Sequence, residues 1–142
     1  MQATEIKIDW KRFDTFFDLW RAHRDDTQLL YVIGEEHHCY IGSIGSRAGK
    51  QGLGNRYQWQ YVRGAQAIFG LDEPSGQVAY SGSLSSLSPI LATHILAMEA
   101  LVQNAFVLSH GRENALFQPE HFIEGYNAIH KGDLPKFLQA RR

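Results

Sequence analysis

Cysteine is almost missing from this chain: Cys39 stands alone among 142 residues. One thiol closes no internal disulfide and has no Cys partner for a zinc site, which agrees with a reducing compartment. As a lone strand residue it reads as a small core filler. No apolar run approaches the roughly 18–20 residues of a membrane span, and the start MQATEIKIDW lacks a basic-then-apolar signal pattern. The expected location is cytoplasmic. Repeats, low-complexity tracts and linkers are absent too, so a single domain over 1–142 is expected. Acid is missing locally. Between His37 and Leu71 there is no Asp or Glu, while Arg47, Lys50, Arg56 and Arg63 all fall there. The overall charge of −1 speaks against a nucleic-acid binder. The local excess of cations speaks for phosphate, unless it is the solvated side of a helix and loop.

Apolar residues, by contrast, are plentiful. They make up 44% of the chain, with three Trp, six Tyr and eight Phe, enough for a packed core without staples. The stretch that organises the chain is LLYVIGEEHHCYIG, Leu29 to Gly42. Two runs of strand formers flank a polar turn with a glycine, the pattern of a β-hairpin. A turn centred between Glu35 and Glu36 sets Ile33 opposite His38 and Tyr31 opposite Tyr40, with both phenols on one face.

On either side of the hairpin the periodicity is helical. Trp10, Phe13, Phe17 and Trp20 predict an amphipathic helix over 9–25 with Asp9 as its N-cap, lying against the sheet. The glycine-rich stretch Ser43 to Gly54 predicts a loop. Leu53, Tyr57 and Tyr61 predict a helix to Gln66 whose polar side carries Arg56, Gln60 and Arg63 at i, i+4 and i+7. Gln77 to Leu84 alternates as a third strand after the turn Asp72 to Gly76. Ser88 followed by Pro89 predicts the start of a long buried helix, and helices are expected over 116–142, one from near Pro119 and one over Leu134 to Ala140. From Pro74 to Gly111 the only charged residue, histidine aside, is Glu99, on or beside the apolar stripe of the long helix. A buried carboxylate without a partner costs several kcal/mol, so a cation, a donor or a metal is expected near it. Consecutive turn residues point different ways, so Glu35 to His38 makes a poor metal site. His94 reads as a satisfied core histidine.

The order Tyr31, Tyr40-Ile41-Gly42, Arg56 and Glu99 resembles that of the GIY-YIG nucleases, over roughly residues 28–106. LLYVIGEEHHCYIGS resembles the two family motifs, GLGNRYQ the segment with the catalytic arginine, and AMEALV the segment with the metal-binding glutamate. The chain differs from the family in having Leu29-Leu30-Tyr31 for Gly-Ile-Tyr, and Gln60 where many relatives have His or Tyr. The resemblance implies an α/β (α+β) domain with a small central, mainly antiparallel three-stranded sheet flanked by helices. It also implies a metal-dependent endonuclease that hydrolyses DNA. Glu99 would hold Mg2+ or Mn2+, Tyr31 would orient or deprotonate the attacking water, Tyr40 would bind water or phosphate, and Arg56 would clamp the phosphate. Gly42, Arg47, Lys50, Gln60 and Arg63 are the candidate substrate contacts, and Asn104 or Asn114 stands for a late family asparagine. With no separate recognition domain, specificity would come from loops, a protein partner or a homo-oligomer. The differences at Leu29 and Gln60 support the alternative of a catalytically inactive module that binds nucleic acid or protein.

Overall fold

A computed structural model describes residues 3–23, 26, 28–35, 38–44 and 77–139. Among them the chain forms one mixed five-stranded sheet with two helices, an α+β arrangement. The strands are β1 (Thr4–Phe13), β2 (Leu29–Ile33), β3 (Tyr40–Ile44), β4 (Ala79–Ser85) and β5 (Tyr126–Gly132). Their order across the sheet is β3-β2-β4-β1-β5, with β5 parallel to β1 and the other pairs antiparallel. The three expected strands occupy adjacent places in it, but the sheet is wider than the resemblance implied.

Both additional strands overlap segments expected as helices, β1 over 9–13 and β5 throughout. In TEIKIDWKRF, Ile6, Ile8 and Trp10 are buried while Glu5, Lys7, Asp9 and Lys11 are exposed, the period of two that a half-covered strand requires. The N-terminal helix is correspondingly short, α1 (Phe16–His23). Thr15 opens it, its hydroxyl accepting from the Asp18 amide at 3.2 Å. At the other end, 126–132 alternates inward and outward as a strand rather than continuing a helix from Pro119. Gly125 and Gly132, both at positive φ, bracket it. The expected terminal helix is a single 3-10 turn, Lys136–Leu138.

The long helix is α2 (Ala92–His110), and it starts later than Ser88. Leu91 is its N-cap, and the Leu91 amide donates to His94 Nδ1 at 3.0 Å. Ser88 and Pro89 precede the helix instead of starting it. His94 is thus satisfied, as expected, but as a cap.

Each helix covers one face of the sheet. Ile95, Met98, Val102 and Phe106 of α2 pack on Ile8, Trp10, Leu30 and Ile41. On the opposite face Phe16 and Leu19 of α1 pack on Leu29, Tyr31 and Ile33. Cys39 bridges to Ala115 beside β3 and is wholly buried, and burial raises its thiol pKa. Native protein should therefore leave this thiol unmodified by Ellman's reagent over hours, with full reaction in concentrated guanidinium. Rapid native labelling would contradict its burial.

Candidate functional site

The hairpin forms, in a register displaced by two residues from the expected one. Ile33 opposes Tyr40 and Tyr31 opposes Gly42. A displacement of two keeps every side chain on its face, so both phenols still share one side. Their rings stack at 5.9 Å between centroids, diagonally instead of directly across. Gly42 makes this possible. A Cβ there would lie 2.6 Å from the Tyr31 hydroxyl oxygen and 2.7 Å from its ring carbon, so the ring occupies the space a side chain would take. Gly42, a candidate substrate contact, forms the floor under Tyr31.

Tyr31 is fully buried, its ring tilted against Phe16 of α1 at 6.1 Å. Tyr40 is half-buried. Glu99 lies on the other side of the sheet. It projects from α2, and the hydroxyl it bonds belongs to Ser43, the neighbour of Gly42 on β3. Successive residues of a strand point to opposite faces, so Ser43 and Glu99 sit across the sheet from the phenols. The sheet brings Tyr31, Tyr40 and Gly42 together and separates them from Glu99. Arg47, Lys50, Arg56, Gln60 and Arg63, with the expected helix from Leu53 to Gln66, lie outside the described residues.

Around Glu99 is a polar nest that the sequence did not announce. Burial pushes the Glu99 carboxyl up to about 7, against the Ser43 hydrogen bond that lowers it, and the nearby Glu120 carboxylate raises it further. Gln103, one turn on and buried, donates to the Ile41 carbonyl at 3.1 Å and accepts from the Glu120 amide at 2.9 Å. Asn104 donates to the Glu120 carbonyl at 2.9 Å and to the Ala100 carbonyl at 2.7 Å. Asn114 donates to the His110 carbonyl at 2.7 Å. The i+4 spacing from Glu99 to Gln103 was a usable signal. Glu120 gave none, because a loop places it there. Among the described residues no three of His, Cys, Asp and Glu gather as a metal group. No helix of these residues is long and apolar enough to cross a membrane.

Comparison with known family models, with curated proteins and with solved structures finds no match to this chain.

Proposed function

We propose that this chain is a nucleic-acid-binding module with a GIY-YIG-like order of residues that does not hydrolyse what it binds. One observation supports binding over hydrolysis: Tyr31 is sealed beneath α1 and lies across the sheet from Glu99. Phosphodiester hydrolysis brings the water-activating group and the metal to one phosphorus, within hydrogen-bond reach of each other. A phenol with no solvent access receives no water. The stacked tyrosines then serve packing, and the ligand class follows from the acid-free segment carrying Arg47, Lys50, Arg56 and Arg63.

A second reading, metal-dependent DNA hydrolysis, is favoured by the Glu99 site itself. Glu99, with the Ser43 hydroxyl beside it and the Glu120 carboxylate near enough to raise its pKa, offers oxygen donors, which suit a hard ion such as Mg2+ or Mn2+. A bound ion would relieve the repulsion between the two carboxylates.

The readings separate on one plasmid assay with Mg2+ or Mn2+. Binding alone predicts retarded but uncut DNA. If the four cations each meet a phosphate, affinity should fall by about 50- to 150-fold between 50 and 200 mM salt. Replacing Arg47, Lys50 and Arg56 by Ala should flatten that dependence. Nicking that disappears in Arg56→Ala and Glu99→Ala would establish hydrolysis instead, and salt-independent or absent binding would sink both readings.

A further inference from the structure

The sheet ends at β5, and among the described residues no strand pairs with its outer side. Thr4 donates to the Gly125 carbonyl and Asp133 donates to the Trp10 carbonyl, both at 2.8 Å. This ladder turns the backbone groups of Asn127, Ile129 and Lys131 towards β1, and those of Ala128 and His130 outward. Edge strands are ordinarily blunted by proline, bulges or repeated charge. Over its seven residues, YNAIHKG, β5 has only Lys131.

We propose that two copies join antiparallel along β5 about a two-fold axis at Ile129, extending each sheet into the other. In that register Ala128 and His130 of one copy exchange about four hydrogen bonds with His130 and Ala128 of the partner. Ile129 faces itself as a non-hydrogen-bonded pair, the closer kind, with side chains in contact. It is 38% exposed in the single chain, large enough to gain from the contact.

Side-chain matching selects this register. Asn127 pairs with Glu5 on β1, and Lys131 pairs with Asp9. Across the axis the row therefore reads Glu5, Asn127, then Lys131 and Asp9 of the other copy. Each lysine lies between Asn127 of the other copy and Asp9 of its own, and no like charges oppose. Moving the axis to His130 would set Ile129 against Lys131, and moving it to Ala128 would set Ile129 against Asn127. On the helix-covered face Tyr126 would lie over Gly132 of the other copy, an aromatic filling the space beside a glycine. His130 enters without charge, because its Nδ1 accepts the Trp10 indole N–H at 2.9 Å. The sheet face beside this edge carries a groove of about 790 Å³ bordered by Glu5, Lys7, Ser85, Leu87 and Ile129, and neither helix of the described residues borders it.

The test uses the full chain. Sedimentation over a concentration series should show a monomer–dimer equilibrium, and Ile129→Lys, an exposed substitution, should weaken it by about tenfold or more with unchanged circular dichroism. Under mild oxidation Ile129→Cys should give a disulfide-linked dimer, since facing residues there lie within the Cα range of a disulfide. Asn127→Cys should not, because its counterpart is several residues away. The buried Cys39 supplies no competing thiol. A monomer at every concentration, or equal cross-linking of the two cysteine variants, overturns the proposal.

Discussion

Gly42→Ala should destabilise the protein by about 3 kcal/mol and lower its Tm by about 10 °C, a large loss for one added methyl group. In an ordinary strand the sign would be opposite, since alanine gives up less chain entropy than glycine and stabilises by about 0.5–1 kcal/mol. Contact with Tyr31 reverses it. The new Cβ would stand 2.6 and 2.7 Å from the phenol oxygen and its ring carbon, and 3.1 Å from Cε1 of Tyr40. Tyr31 has nowhere to retreat, because Phe16 and Leu19 close over it and it has no exposed surface. Either the ring leaves its rotamer or β3 shifts away from β2. Urea denaturation of a double-mutant cycle with Tyr31→Leu checks the cause. Gly42→Ala should cost little or nothing in the Tyr31→Leu background, giving a coupling of about 2–3 kcal/mol. Equal costs in both backgrounds would place the clash elsewhere.

The same pair of residues illustrates what the sequence made legible. Runs of strand formers over Leu29 to Ile33 and Cys39 to Ile41 put the two tyrosines on one face, and that survives a register error of two because the side-chain period is two, although β3 continues to Ile44, two residues into the stretch expected as a loop. The register itself was not readable, since it depends on a loop that runs from Gly34 to Cys39 with positive φ at Gly34 and His38. At the N-terminus two periodicities compete in the same letters. Trp10, Phe13, Phe17 and Trp20 fit a helix, but Ile6, Ile8 and Trp10 fit a strand, and long-range pairing with β4 and β5 decides for the strand. Phe17, counted into the core by its helical spacing, is 47% exposed as a result. In 126–132 no local signal outweighs the helical spacing of Phe122, Ile123, Tyr126 and Ile129, and parallel pairing with a strand some 120 positions earlier is a tertiary fact. For Glu99 the sequence located a carboxylate in an apolar setting. It could not say which face of the sheet that carboxylate meets, because that depends on the side on which α2 crosses.

In metal-free buffer, Glu99→Gln should raise stability by less than about 1 kcal/mol at pH 5 and by about 3 kcal/mol at pH 8. The carboxyl titrates at about 7 in the fold against 4.5 in the open chain, so the native state holds its proton more tightly. The stability this group contributes is complete below pH 4.5 and disappears as pH rises through 7, where a charge must sit under α2 beside Glu120. Glutamine keeps an acceptor for the Ser43 hydroxyl and never takes the charge, so the gain grows as pH rises. His130 has the opposite slope: burial lowers its pKa below 6.5, so its contribution is lost as pH falls. That slope is common to both proteins and cancels in their difference. Chemical denaturation at pH 5, 6, 7 and 8 gives the curve directly. A difference that stays flat would mean that a cation already compensates Glu99. Arg56 could supply such an ordinary ion pair, so a flat curve would count against a metal at Glu99 and for the binding-only reading, whereas a rising one leaves Glu99 as an uncompensated acid that an added Mg2+ or Mn2+ could satisfy, as hydrolysis requires.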